Sequence, residues 1–315
     1  MELTQLTETE VSHFIDKGYL ILKDCFDMSE GSIAARWVEE SWLRNGIKKN
    51  DVANWPKEKI HMPSIEWVKL SKFSPKVYNA ISDLVGGANK LYGDGEIVWS
   101  NAFIANYGFG RDQEWEEPNP RVEDWHVDGD FYLHFLDSPE IALLIAVYFT
   151  DVEHQGGGTF IVEDSVKAVS EFLLDRPEGS RDFEIKEANL TDQCSKFKEL
   201  CINAGDVVLM HPFMIHASSF NHTDNVRLMI NPGCSLNAPL NLNRNNYDDY
   251  TPTEKCILKS LGVKNIEYQI TNSRREFDCS RFESQTKLAE LEASRMGKNK
   301  KQYTKNLFIP GDFIG

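Results

Sequence analysis

A surplus of positive charge is missing from this sequence. Its 315 residues carry 34 Lys plus Arg against 49 Asp plus Glu, a formal net charge of −15. Nucleic-acid binders present a cationic face that neutralises phosphates, so the balance argues against that class. It argues equally against docking on an anionic membrane surface. Long apolar runs are missing too: the longest, Ile141 to Phe149, is too short to cross a bilayer. The opening MELTQLTETE is polar and acidic, unlike a signal or transit peptide, and the closing FIPGDFIG carries no prenylation, retention or peroxisomal signal. Cysteine is scarce. The six (Cys25, Cys194, Cys201, Cys234, Cys256, Cys279) form no Cys-x-x-Cys pair, which fits reduced thiols in a cytoplasmic protein better than a disulfide framework or zinc knuckle. GxxxxGK[ST] and GxSxG are absent, which counts against P-loop and serine-hydrolase chemistry.

What is present reads as a globular chain. Hydrophobic residues make up 41% and charged residues 26%, enough to build a core without disulfides or a structural metal. The first hundred residues read mainly as helices. Thr7 with Glu10 forms a capping box before the apolar face of Val11, Phe14 and Ile15, which ends at Gly18. A short strand is expected over Tyr19–Leu22, and further helices over Ser32–Leu43 and Pro75–Leu84. The centre reads as β, with strands over Ile97–Ile104, Asp124–Val127, Ile141–Phe149, Thr159–Val162, Asp206–Met210, Met214–Ala217 and Val226–Ile230. Helices return at Pro252–Leu261 and Ser284–Arg295. This order predicts a mainly β fold of sandwich or jelly-roll type with helical additions. No linker stands out, so 1–315 is expected to form a single domain, with its β core over about 95–235 between helical extensions 1–94 and 236–315. The acidic, proline-broken stretch Arg111–Glu123 is expected to be a loop and has the placing of a lid.

The chemistry-bearing stretch is Trp125-His126-Val127-Asp128-Gly129. In a strand, i and i+2 face one side, so His126 and Asp128 present an imidazole and a carboxylate together. Ninety residues on, His216 lies in another expected strand. Two histidines and one carboxylate make the facial triad that leaves open positions on a non-heme Fe(II). Arg227 follows within an apolar strand, where a guanidinium needs an anionic partner. A second His-x-Asp, His222-Thr223-Asp224, lies in a polar turn with no histidine after it and reads as a turn. Taken alone, His126 and Asp128 fit a satisfied histidine beside a solvated aspartate about as well as a metal site. His211 competes with His216 but faces the other side of a regular strand and precedes Pro212, so it is assigned to a loop or to a place behind the metal ligands. Asp130 and His134 are placed around the metal or facing substrate, with surface roles equally open.

With these residues in hand, the chain resembles the phytanoyl-CoA dioxygenase-like family of Fe(II)/2-oxoglutarate-dependent oxygenases. The resemblance runs through the helix and "GYLIL" strand of Leu3–Asp24, "WHVDG", "LLIAVYFTDVEHQGGGTFIVEDS" and "AGDVVLMHPFMIHASS…NVRLMIN". It implies a double-stranded β-helix (cupin-like jelly-roll) core. It implies that His126, Asp128 and His216 bind Fe(II), and that Arg227 pairs with the distal carboxylate of 2-oxoglutarate, with Ser218 adding a hydrogen bond. O2 is then the co-oxidant, and a ferryl species abstracts a substrate hydrogen. Two departures stand out: Val162-Glu163-Asp164-Ser165 where many members have Pro-Gly-Ser-His, and no tryptophan in Leu143–Phe149. Asn101, Asn106 and Tyr148 are candidates for the remaining cosubstrate contacts, structural roles being equally open.

The departures point away from acyl-CoA substrates and toward a small metabolite, by hydroxylation or by oxidative cyclisation or desaturation. Kainoid-type ring closure is one such outcome, though no motif selects it. The alternatives are an acyl-CoA hydroxylase of phytanoyl-CoA type, a non-catalytic metal-binding barrel, and a metal-dependent hydrolase. The last leaves Arg227 unexplained. Nothing in the sequence sets the oligomeric state.

Overall fold

The computed structural model describes residues 3–277 and 281–299. The strands are β1 (Tyr19–Leu22), β2 (Ile60–His61), β3 (Trp67–Lys69), β4 (Val98–Ser100), β5 (Ile104–Asn106), β6 (Leu143–Tyr148), β7 (Thr159–Val162), β8 (Phe197–Glu199), β9 (Val207–Met210), β10 (His216–Ser218), β11 (Arg227–Ile230) and β12 (Gly233–Cys234). The helices are α1 (Glu8–Lys17), α2 (Ile33–Asn45), α3 (Leu70–Phe73), α4 (Pro75–Val85), α5 (Ser165–Leu174), α6 (Asp182–Glu187), α7 (Pro252–Ser260) and α8 (Arg281–Arg295).

Seven strands form a large antiparallel sheet in the order β1-β9-β6-β11-β5-β2, with β12 also paired to β6. Three form a small sheet, β10-β7-β8, and β3 pairs with β4 alone. The two main sheets face each other without closing into a barrel, and Tyr148 of β6 meets Thr159 of β7 across the gap, hydroxyl to hydroxyl at 2.7 Å. Every residue of β6, β7, β9 and β11 is buried, which explains why these strands read as apolar runs rather than as alternating ones.

Local signals survive folding well. Thr7 and Glu10 make the expected capping box, and Gly18 closes α1 in the left-handed conformation. Ser32 caps α2, and Pro75 occupies the first turn of α4. Four differences matter. The expected strand Tyr19–Leu22 forms as β1, but it and an unexpected β2 join the large sheet, so the β core is not confined to 95–235. The expected strand 97–104 is broken into β4 and β5. Helices α5 and α6 interrupt the β core between β7 and β8. The stretch 124–127 is not a regular strand and makes a single bridge, His126 to His216.

The loop 111–123 is strapped to the outside of the small sheet. Phe160 points outward, since Thr159 faces Tyr148 and neighbours alternate. The Trp115 ring packs against Phe160 and also against His154 and His222. Trp125 Nε1 donates to the Asn119 carbonyl and Thr191 Oγ1 to that of Pro120. These anchors hold the body of the loop on the face away from Tyr148, while its end, Pro120 to Val122, lines the cavity beside His126. Cys279 and the closing segment 308–315 lie outside the described residues. Among the described residues the five cysteines are free thiols, and no helix is long and apolar enough to cross a membrane.

Candidate active site

Register decides which side chains enter the space between the sheets. Thr159 faces inward, and it pairs with Ser218 while Ile161 pairs with His216, so Ser218 and His216 face inward too. On the large sheet Tyr148 pairs with Met229, and Arg227, two residues before it, shares that face. Arg227 pairs with Asn106. Continuing the β2–β5 register by one residue places Lys59 opposite Asn106. Lys59, Asn106 and Arg227 therefore form one polar row across the inner face of an otherwise apolar sheet.

His126, Asp128 and His216 come together on the facing side. One ligand atom from each lies within 4.8 Å of the others, a cluster able to hold a metal ion. Asp128 Oδ1 is 3.4 Å from His126 Nε2 and 3.6 Å from His216 Nε2. The backbones of the two histidines exchange N–H to carbonyl bonds at 3.0 Å in both directions, which fixes their spacing. Each ring is oriented the same way. His126 Nδ1 donates to the Asp124 carbonyl at 2.6 Å, and His216 Nδ1 to the Met214 carbonyl at 3.1 Å. Both Nε2 atoms are thereby turned toward Asp128, which is the orientation a metal needs. Burial pushes the Asp128 carboxyl up, but His216 and His126 outweigh it and hold the group far below the usual carboxylate range. Gly129 follows at φ 122°; a Cβ there would lie 2.3 Å from the Tyr132 ring and 2.8 Å from that of His134.

Arg227 is 1% exposed, and its Nε and Nη2 have no hydrogen-bond partner among the described residues. Its one polar contact is Nη1 to the Met229 sulfur at 3.1 Å. Burial lowers this guanidinium to about 10. A desolvated cation with two free donor atoms is a socket for a carboxylate. Lys59 is lowered by burial and then by the Arg227 charge, with Asp124 offsetting part of the effect. Sequence reasoning missed Lys59 because the two-residue β2 that positions it has no period to detect. It also missed Asp124, whose left-handed φ of 70° no motif announces.

The other expected residues fall as follows. His211 lies on the turn after β9, fully buried, its Nδ1 accepting from the Phe213 N–H, and it takes no part in the cluster. His134 is buried, its Nε2 bonded to the Gly129 carbonyl. Asn101 Oδ1 accepts from the Ile65 and Glu66 amides, a loop-bracing role. Asn106 Oδ1 accepts from the Phe109 N–H, and its Nδ2 has no partner among the described residues. Tyr148 is committed to Thr159. A cavity of about 400 Å³ opens beside His126, bounded by Asp124, Trp125, Ile185, Lys186, Leu190 and Ile215; it reaches the cluster only through His126.

Two facing antiparallel sheets carrying a two-histidine, one-carboxylate cluster opposite a buried arginine define a non-heme iron, 2-oxoglutarate-dependent enzyme. The chain belongs to the phytanoyl-CoA dioxygenase (PhyH) family, which its sequence matches over residues 14–229. No curated protein matches it in sequence. Among solved structures it is similar to the non-heme α-ketoglutarate-dependent carbocyclase SnoK of nogalamycin biosynthesis, at 17% identity, covering 76% of this chain and 88% of that one with a TM-score of 0.42. It is similar to the epimerase SnoN in complex with Fe3+, α-ketoglutarate and nogalamycin RO, at 15% identity, covering 87% and 96% with a TM-score of 0.42. It is also similar to HygX from Streptomyces hygroscopicus with nickel and 2-oxoglutarate bound, at 15% identity, covering 73% and 87% with a TM-score of 0.40. What those proteins bind is a property of theirs; the family assignment rests on the sequence match.

Proposed function

We propose that the chain oxidises a C–H bond of a small-molecule metabolite, with Fe(II) held by His126, Asp128 and His216 and with 2-oxoglutarate as cosubstrate. The observation that carries this reading is the orphaned guanidinium of Arg227, buried opposite a metal-ready cluster. The donor set fits iron: two imidazole nitrogens fixed by backbone carbonyls and one carboxylate kept ionised. Iron bound there would couple the decarboxylation of 2-oxoglutarate to O2 reduction and oxidation of the substrate.

The residues then have distinct tasks. Arg227 binds the distal carboxylate of the cosubstrate. Ser218, two residues beyond His216 on the same face, adds a hydroxyl donor. Lys59 and Asn106 extend the polar row and supply further donors to the same anion. The apolar walls of β6, β7 and β11 exclude water, which strengthens each of these charge-assisted bonds. A hydrolase using the same ligands has no task for Arg227. Hydroxylation is the default outcome, with cyclisation or desaturation as variants set by the substrate. We read residues 1–315 as one catalytic domain and the location as cytoplasmic, which the free thiols support.

Anaerobic Fe(II) titration with and without 2-oxoglutarate tests the assignment. The folded protein is expected to show the weak visible charge-transfer band of the chelated complex. His126→Ala and His216→Ala abolish it, and Arg227→Ala weakens 2-oxoglutarate binding by about 100-fold, the range for a lost buried charge-assisted bond. A band surviving His216→Ala but lost in His211→Ala would reassign the third ligand. No band in the well-folded wild type would sink the oxygenase reading.

A further inference from the structure

Asp124 sits two residues before the first metal-site histidine and holds a left-handed backbone, φ 70°. Asp tolerates this region better than most residues, but β-branched side chains do not. The conformation turns the Asp124 carbonyl onto His126 Nδ1 at 2.6 Å. Its carboxylate is bonded to Lys186 Nζ of α6 at 2.8 Å. One residue thus touches the His126 ring with its main chain and the inserted helix with its side chain.

Resting on the metal reading above, we propose that Asp124 is a positioning residue for the iron centre: its left-handed backbone aims the His126 ring, and Lys186 on α6 latches it there. The two histidines differ in how they are aimed. The Met214 carbonyl that orients His216 lies just before β10 on a fully buried stretch. The Asp124 carbonyl lies on an exposed residue outside any regular strand, followed only by the single bridge at His126. His126 is also the more accessible ring, with 33% of its side chain exposed against 11% for His216. The His126 arm is therefore the adjustable half of the site. The backbone carries the effect more than the ion pair, because Asp124 and Lys186 are about half exposed and such a pair is weak. Gly accepts the left-handed region freely and Asn nearly so, whereas Val strongly resists it.

The test is Co(II) affinity of the metal-free protein, measured by calorimetry at one pH, with melting temperature as a control for folding. Asp124→Gly and Asp124→Asn are expected to bind Co(II) within about threefold of wild type, and Lys186→Met within about fivefold. Asp124→Val is expected to lose 10- to 100-fold, the range for a lost orienting partner. Should Asp124→Val not fold, Asp124→Ala takes its place with a smaller loss, still larger than that of Asp124→Gly. A merely structural role would track melting temperature and place Gly, the more flexible residue, at or below Ala in affinity; that ranking overturns the proposal. Affinity unchanged in Asp124→Val or in Asp124→Ala overturns it as well. His126→Ala separates the two levels: if it leaves Co(II) affinity unchanged, the metal assignment itself fails, whereas its loss beside an unaffected Asp124→Val removes only the positioning role of Asp124.

Discussion

His211 and His134 are held neutral by their surroundings. Burial lowers His211 to about 3 and His134 to about 4. An unfolded histidine titrates near 6.5, so below that pH the unfolded chain binds protons that the folded chain refuses. Stability is therefore fully present above pH ~6.5 and falls as pH drops toward the folded values. Going from pH 7 to pH 5 is expected to lose about 2 kcal/mol for each histidine. Urea unfolding at both pH values measures the loss, and in His211→Gln the difference shrinks by roughly that amount. At this scale the sequence was most informative where a residue contradicted its neighbours. Arg227 stands out because it interrupts an apolar strand, and the His126–Asp128 spacing because both are metal-ligand types. Lys59 and Asp124 contradict nothing around them, so only the register and the backbone angle show them.

Elements divide in the same way, between what is decided locally and what is decided by contact. Caps, C-terminal glycines and the proline of α4 lie within one turn of what they control, so α1, α2, α4 and α7 end close to where the sequence places them. Helix α6 has six residues and only Ile185 buried, so there was little periodicity to read. Helix α8, expected over Ser284–Arg295, is tied to the rest of the fold by a contact 248 positions away. Arg44 of α2 and Glu292 of α8 form an ion pair at 2.8 Å with both side chains fully buried. The same guanidinium donates to the carbonyls of Asn101 and Pro63, which follow β4 and β2. Removing one partner strands the other charge, so Glu292→Ala is expected to destabilise by about 3–5 kcal/mol, while Arg44→Met with Glu292→Met together is far milder. Chemical denaturation of the single and double variants distinguishes this from a dispensable surface helix, for which both would be near zero. The match to the PhyH family ends at residue 229, before α8 begins.

Across the whole molecule, composition spoke to the exterior and the sheets to the interior. The charge of −15 describes a surface, while the site depends on a few cations between the sheets. Strand order could not be read from the chain: β1 joins β9 and β2 joins β5 through packing that no local pattern encodes. The buried, unpartnered Arg227 has a consequence for the protein as a thermodynamic object. Without an anion, the native state carries a desolvated charge that water would solvate after unfolding. An anion that binds only the native state relieves this and adds about 2.7 kcal/mol at 100 times its dissociation constant. Melting temperature with Mn(II) in place of iron is therefore expected to rise with 2-oxoglutarate. Arg227→Met is expected to be more stable than wild type without ligand and to need about 100-fold more 2-oxoglutarate for the same rise; a wild-type melting point indifferent to 2-oxoglutarate would contradict this. The folded population of the enzyme thus becomes a gauge of its own cosubstrate, surviving best when there is work for it to do.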